Sequence, residues 1–226
     1  MKETYIRFMA QMTPQTSDLL IKLIDEKIRN GYEKLHLLIS SPGGSVFHGI
    51  SLYNYLFGIP LEVDTYNFGS VDSIGVILFC AGKNRYSVPN ARFLIHGVSL
   101  NWHGTISMDE KILEEHLKGV QIDQSNIAKI IAATTNKKEE DIKTDMHNRI
   151  TLSPNEAKAY GLVTEIKSTL MPLNAEFYSI GEFDGIPSVP QHISTPRHQY
   201  MTVPRETYTS LFDRGFPSTG EYKNEK

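Results

Sequence analysis

The chain has 226 residues, of which 40% are hydrophobic and 22% charged, a balance that is typical of a globular protein. The length favours one domain with an appendage over two full domains. A formal net charge of −3 gives no reason to expect nucleic-acid binding, and a single cysteine, Cys80, excludes an intramolecular disulfide. The apolar runs are too short to cross a bilayer and no signal-peptide pattern opens the chain, so we expect a soluble, cytoplasmic protein.

The first 96 residues alternate between the patterns of strands and helices. Thr13-Pro14 is a typical helix start, with Thr as the N-cap, and Asn30-Gly31 ends that helix. The nearly continuous apolar run over 34–40 is typical of a strand buried on both faces of a parallel sheet. This alternation predicts an α/β fold. We predict strands over residues 5–12, 34–40, 61–68, 85–88 and 92–96, and further helices over 46–57 and 73–81.

One long amphipathic helix, predicted over residues 109–134, dominates the next segment. Its apolar stripe is too long for a single subunit to cover easily. Burying the stripe between subunits would stabilise their association by roughly 25 cal/mol per Å² of apolar surface. We therefore expect a homo-oligomer. The stripe comprises Leu113, Leu117, Val120, Ile127 and Ile131. Around this helix we predict a polar loop or hairpin over 99–108, a charged helix over 137–145, a short helix between the capping residues Ser153 and Gly161, and a strand over 162–166.

The composition changes at about residue 168. Six of the eleven prolines follow, interspersed with aromatic residues. We therefore predict a domain over residues 1–168 and an irregular C-terminal extension over 169–226 that packs on its own body or on a neighbour. The last residues, 220–226, are expected to be loose.

The stretch from Gly69 to Gly75, with the sequence GSVDSIG, separates a predicted strand from a predicted helix. A Ser at such a junction has an exposed hydroxyl, and the helix N-terminus directs free N–H groups toward whatever binds there. Ser73 is therefore a candidate nucleophile. The alternative is that Ser73, or Asp72, only caps the helix.

Four strings in a fixed order now resemble a known family. ISSPGGSV at 39–46, GSVDSIG at 69–75, PNARFLIH at 89–96 and SPNEAKAYGLV at 153–163 are similar to the corresponding strings of the ClpP family, the proteolytic subunit of the Clp protease. The likeness covers roughly residues 4–168. It implies the ClpP/crotonase-like fold of repeated β-β-α units with a protruding handle helix.

The resemblance also implies roles for individual residues. Ser73 matches the family's nucleophile and His96 its general base. Gly44 and Ile74 match the positions whose backbone N–H groups form the oxyanion hole. The loop after His96 and the long helix match the handle that joins two rings, and residues 97–104 could offer a backbone edge to an extended peptide.

The family's acidic triad position falls on Arg149, which cannot accept a proton. Asn148 could orient His96 if the chain shifts by one residue, Asp145 would need a larger shift, and a third possibility is that no third member exists. Asp72 is a second departure, because the family has Ala there. It is either a further helix cap or a charge that opposes oxyanion formation.

We expect a serine endopeptidase of ClpP type that acts through an acyl-enzyme in an oligomeric ring on peptides or unfolded proteins. The main alternative is a catalytically impaired ClpP-like ring subunit with a structural or regulatory role. A crotonase-type acyl-CoA hydratase or isomerase and a membrane-bound Ser–Lys peptidase are less well matched, because the motifs supply Ser73 with His96. We expect no cofactor and no metal, since the histidines lack ligand spacing. An AAA+ unfoldase is a possible partner, although only four residues precede the first predicted strand and the usual docking elements are expected to be absent.

Overall fold

The computed structural model describes residues 1–100 and 107–181 and the backbone of 199–202. Within these residues the chain alternates between strands and helices up to α3, as the sequence predicts. The strands are β1 (Glu3–Met9), β2 (Lys34–Ser41), β3 (Glu62–Asp72), β4 (Asn84–Ser87), β5 (Arg92–Leu94), β6 (Thr151–Leu152), β7 (Glu165–Ile166), β8 (Phe177–Gly181) and β9 (Gln199–Thr202). The helices are α1 (Pro14–Arg29), α2 (Val46–Gly58), α3 (Gly75–Cys80), α4 (Glu110–Thr135), α5 (Glu139–Asn148) and α6 (Pro154–Tyr160). No helix in this described part is long and apolar enough to span a membrane.

The described strands form one sheet in the order β6-β5-β3-β2-β1-β8-β9, with β4 joined to β3 and β7. All pairs are parallel except β5 with β6. Because side chains alternate along a strand, Ile6 and Phe8 of β1 enter the main core with the helices, whereas Tyr5 joins a smaller cluster with Leu38 and Tyr66. The α/β prediction is confirmed.

Local capping signals correctly located several helix ends. The Thr13 side chain accepts a hydrogen bond from the Thr16 N–H in a capping box, and Ser153 does the same with Glu156. Gly161 ends α6 with φ 92°, in the left-handed region that favours glycine.

The strand that leads to Ser73 is longer than predicted. β3 continues to Asp72, past the predicted end at 68, because its last residues pair with β5. Two neighbours are correspondingly shorter: α3 spans Gly75–Cys80 and β5 ends at Leu94, so His96 lies beyond the strand. The pairing of β3 with β5 sets these limits, and because it joins residues that are distant in the sequence, such as Ser70 and Arg92, no local pattern reveals it.

The apolar stripe of the long helix is buried only toward its C-terminal end. Ile127 and Ile131 lie in the core, but Leu113 is 54% exposed and Leu117 is 59% exposed. The first part of α4 therefore offers apolar surface that the described residues do not cover.

The extension is regular where the structure describes it. β8 pairs in parallel with β1 and the backbone of β9 with β8, which differs from the irregular segment that we predicted. Glu176 accepts hydrogen bonds from the Tyr32 hydroxyl at 2.6 Å and from the Tyr178 hydroxyl. The buried ammonium group of Lys27 lies 3.4 Å from the centroid of the Tyr178 ring. The start of the extension thus belongs to the body of the fold. The predictions for residues 182–198 and 203–226 lie outside the described residues, and the division at 168 stays a prediction.

Candidate active site

Ser73 occupies a strained turn between β3 and α3. Its φ of 58° lies in the left-handed region, which is unfavourable for a residue with a side chain and recurs at functional sites. The Ser73 N–H donates to the carbonyl of Leu94 at 2.8 Å, which fixes the turn to the end of β5. The N-cap of α3 is Ile74, and no side chain caps this helix. The capping interpretation of Ser73 and Asp72 is therefore wrong.

Two glycines after β2 pack against this turn. A Cβ on Gly43 would lie 2.7 Å from the Cβ of Ser73 and 3.2 Å from its Oγ. A Cβ on Gly44, whose φ is 138°, would lie 2.4 Å from the carbonyl oxygen of Met12. The Met12 N–H donates to Gly43 at 2.7 Å, and the Ser45 N–H donates to Met12 at 2.9 Å. The Gly-Gly segment is thus tied to the chain before α1 and held directly beside Ser73.

His96 follows β5 and is fixed by backbone contacts on both sides. The Ile95 N–H donates to Ile150 at 2.9 Å, and the Gly97 N–H donates to Met146 at 3.0 Å. The imidazole Nδ1 lies 2.7 Å from the carbonyl oxygen of Gly97. Because a carbonyl oxygen only accepts, Nδ1 carries the proton in this contact and Nε2 is left as the acceptor. This is the tautomer that a general base for a serine hydroxyl requires.

Ser73 and His96 line the same small cavity, of about 90 Å³. Among the described hydrogen bonds there is none between the Ser73 hydroxyl and His96, a bond that often tightens only when substrate is bound. The cavity also receives the two predicted oxyanion-hole residues, Gly44 and Ile74. Its remaining walls are mostly aliphatic and comprise Val46, Ile95, Gly97, Val98, Ser99, Ile127 and Ile131. Residues far apart in the sequence therefore converge on one recess that presents a hydroxyl and an imidazole beside aliphatic side chains.

None of the residues proposed as the third member of the triad is shown in contact with His96 in the described part of the chain. Asn148 is the exposed last residue of α5, and no described residue hydrogen-bonds its side chain. Arg149 follows as the C-cap with φ 55°. The carboxylate of Asp145 accepts a hydrogen bond from the Tyr160 hydroxyl at 2.6 Å, and burial together with this bond raises the pKa of Tyr160.

The group that contacts Nδ1 is the Gly97 carbonyl, which the sequence did not single out. Every residue carries a carbonyl group, so no residue type could have marked it. The predicted backbone edge over residues 97–104 lies partly outside the described residues, which resume at 107.

The carboxylate of Asp72 forms an ion pair with Arg92. Its Oδ2 lies 2.7 Å from Nη2 of Arg92, and its Oδ1 accepts a hydrogen bond from the Ser70 hydroxyl at 2.8 Å. The carboxylate is therefore directed along the β3–β5 ladder, toward Arg92 and Ser70. Sequence reasoning missed this ion pair, although an Asp where the family has Ala was a signal that a partner should be sought.

Cys80 is not a competing nucleophile. Its side chain is buried at the end of α3, and burial raises the pKa of the thiol to about 11. The reactive thiolate is thus scarce at neutral pH.

Comparison with known proteins agrees with this geometry. The family model described as Clp protease matches residues 1–169. The ATP-dependent Clp protease proteolytic subunit of Bdellovibrio bacteriovorus is 28% identical over 152 residues, which cover 66% of this chain and 71% of that protein. A solved structure of a ClpP1 mutant from Listeria monocytogenes aligns with a TM-score of 0.66 and 25% identity, over 73% of this chain and 91% of that one. The family match spans most of the residues that form the sheet, the turn at Ser73 and the loop at His96, and the chain belongs to the Clp protease family.

Proposed function

We propose that this chain is a serine endopeptidase that hydrolyses peptide bonds through an acyl-enzyme. The observation that carries the proposal is the cavity shared by Ser73 and His96, with His96 held in the tautomer that can accept a proton. Membership of the Clp protease family supports the reaction class.

In the proposed reaction, His96 Nε2 takes the proton of the Ser73 hydroxyl as Oγ attacks the carbonyl carbon of the peptide bond. His96 then gives that proton to the departing amine, the C–N bond breaks, and an ester of Ser73 remains. A water molecule, deprotonated by His96, attacks this ester and releases the new carboxyl terminus. The proton returns to Oγ.

The negative charge that develops on the substrate oxygen needs donors that are already in place. We assign this role to the backbone N–H groups of Gly44 and Ile74. Both residues line the cavity, and neither N–H is among the donors of the described hydrogen bonds. The close fit of the glycine turn against Ser73 and Met12 leaves no room for a Cβ at residue 43 or 44.

Two groups are candidates for orienting His96. The sequence suggests the side chain of Asn148, whereas the carbonyl oxygen of Gly97 is the group in contact with Nδ1. A carbonyl oxygen can fix the tautomer and the ring orientation of a histidine, although it supplies no full negative charge to stabilise the imidazolium. Asn148 would reach Nδ1 only after replacing this contact. The two assignments predict different effects of one substitution, described in the Discussion.

Self-assembly is part of the proposal. The exposed fractions of Leu113, Leu117 and Ile122 on α4 support a homo-oligomer, which by resemblance would be a ring in the cytoplasm. The substrates would be peptides or unfolded proteins. We expect short peptides to be cleaved without ATP, and an AAA+ unfoldase stays a possible partner.

A fluorophosphonate probe tests the proposal, because it phosphonylates an activated serine with loss of fluoride and the adduct is read by intact mass. We expect one adduct per chain in the wild type, none in Ser73→Ala and a sharp decrease in the labelling rate of His96→Ala. Cleavage of a fluorogenic peptide should follow the same order. A folded wild type that neither labels nor cleaves peptides would favour the catalytically impaired ring subunit.

A further inference from the structure

We propose that the Asp72–Arg92 ion pair is a positioning device that holds the nucleophile strand in register with the strand that delivers the general base. The inference rests on the proposed function of Ser73 and His96. It assigns to Asp72 a role that a family member with Ala at this position would lack.

The ion pair joins β3 and β5 at the point where both strands approach the cavity. In the parallel register, Ser70 lies opposite Arg92 and Asp72 lies opposite Leu94. Because side chains alternate, Ser70, Asp72 and Arg92 lie on the same face of this ladder. The Asp72 carboxylate reaches back to the Arg92 guanidinium at 2.7 Å and accepts the Ser70 hydroxyl at 2.8 Å. Both carboxylate oxygens are therefore engaged.

The backbone ladder alone is a short support at this point. β3 pairs with β4 only over residues 64–67, and its pairing with β2 shifts register between Ile39 and Ser41. The ladder between β3 and β5 comprises three residue pairs, from Ser70 with Arg92 to Asp72 with Leu94. A side-chain link across so short a ladder restricts the relative displacement of the two strands.

Arg92 is held at both of its ends. Its guanidinium binds Asp72, and its carbonyl oxygen accepts a hydrogen bond from the Asn67 side chain at 2.8 Å. Asn67 and Asp72 both lie on β3, so this strand binds Arg92 at its backbone carbonyl and at its guanidinium. The side chain of Asp72 is only 10% exposed, whereas that of Arg92 is 53% exposed, so the carboxylate is shielded from solvent but the guanidinium is not.

The two functional residues extend directly from this link. Ser73 follows Asp72 and takes its strained φ of 58° immediately beyond it. His96 lies two residues beyond Leu94, whose carbonyl accepts the Ser73 N–H at 2.8 Å. A slip between β3 and β5 would therefore change the distance between the Ser73 hydroxyl and the imidazole as well as the strained turn. Misplacement by about 1 Å can cost on the order of 100-fold in rate.

The experiment measures the phosphonylation of Ser73 by the fluorophosphonate probe, with the binding constant of the probe and the rate of the chemical step determined separately. Asp72→Asn keeps the shape and can still bind Ser70, but it removes the charge that holds Arg92. Arg92→Gln removes the partner charge, and Arg92→Lys restores charge without the planar fork. Lys83→Gln is the matched control, because it breaks an ion pair at 2.6 Å with Glu62 at the opposite end of β3.

We expect the chemical step to slow by about 10- to 100-fold in Asp72→Asn and Arg92→Gln, with little change in probe binding. The double variant should be no slower than the slower single variant, because the two charges act as one pair. Arg92→Lys should recover part of the rate, and Lys83→Gln should match the wild type. Asp72→Asn decides the test if Arg92→Gln does not fold.

A chemical step in Asp72→Asn within about twofold of the wild-type rate would overturn the positioning role. So would losses in the two single variants that multiply in the double variant. Either result leaves the proposed function intact, since the wild type still labels at Ser73. A wild type that does not label overturns the proposed function and this inference with it.

Discussion

Gly43 lies so close to Ser73 that a Cβ at residue 43 would be 2.7 Å from the serine Cβ. Real Cβ atoms essentially never approach other atoms so closely, so the glycine is a condition for the observed position of Ser73. The relationship links the turn after β2 to the turn after β3. Two features therefore require glycine at residue 43: the close contact with Ser73, and a φ of 95° that residues with a side chain rarely adopt.

The substitution Gly43→Ala should therefore displace Ser73 and lower the rate of its labelling by about 100-fold. Gly31→Ala is the matched control, since residue 31 also has a positive φ, of 72°, but nothing lies within 4 Å of a Cβ there. Both variants should lose stability through backbone strain, and only Gly43→Ala should lose reactivity. Similar labelling rates in the two variants would show that the contact with Ser73 is unimportant.

Asn148→Ala separates the two assignments for the partner of His96. Because Gly97 already occupies Nδ1 at 2.7 Å, we expect peptide turnover to fall by less than about tenfold. An orienting role of Asn148 requires a loss of orders of magnitude. Asp145→Asn is a useful companion variant. It removes the charge of a carboxylate that accepts a hydrogen bond from the Tyr160 hydroxyl and not from His96. A loss confined to Asp145→Asn would mean that the true partner is the carboxylate.

Cys80 should make stability depend on pH in the alkaline range. Burial raises the pKa of its thiol from 9.0 to about 11, so the unfolded chain loses this proton at a lower pH than the folded chain. Between about pH 9 and 11 the unfolded state binds fewer protons, and the free energy of unfolding should fall by up to about 1.4 kcal/mol per pH unit from this group. Urea unfolding of wild type and Cys80→Ala at pH 8 and 10 measures the difference. Parallel pH dependences in the two proteins would contradict the assignment.

Glu176 should make the start of the extension sensitive to acid. Hydrogen bonds from the hydroxyl groups of Tyr178 and Tyr32 hold the pKa of this carboxyl below its usual value. Its contribution to stability is therefore present above the unfolded pKa and is lost as the pH falls through the folded pKa. Glu176→Gln should remove that part of the acid dependence in urea unfolding, and Tyr32→Phe should remove some of it. Glu33→Gln, on a neighbouring loop, serves as the control for the loss of one carboxylate.

The exposed leucines of α4 should contribute to assembly. Leu117→Glu places a charge on a position that is 59% exposed in the single chain, so the monomer fold should tolerate it while an apolar subunit contact should not. We expect a lower mass by light scattering at micromolar concentration than for the wild type. Lys118→Gln, at the next residue, should keep the wild-type mass. A wild type that is itself monomeric would refute the assembly proposal.

The sequence by itself determined the features that depend on neighbouring residues. The capping boxes at Thr13 and Ser153 and the glycine at 161 set helix ends through bonds within a few positions, so residue types alone revealed them. The buried run of β2 revealed a parallel sheet because both of its faces must be apolar. The motif around Ser73 located the strained turn between β3 and α3, since few residue types allow such a strand-to-helix junction.

Only the tertiary structure decided which distant groups meet. The partner of His96 is the backbone carbonyl of Gly97. Every residue has a carbonyl group, so this contact could not be predicted from residue types. The ion pair of Asp72 with Arg92 and the pairing of β8 with β1 join segments that are separated by 20 residues or more, and many residues of the right chemistry could have served. Chain folding selects among these possibilities through the register of the whole sheet. That register places Ser73 and His96 on one cavity.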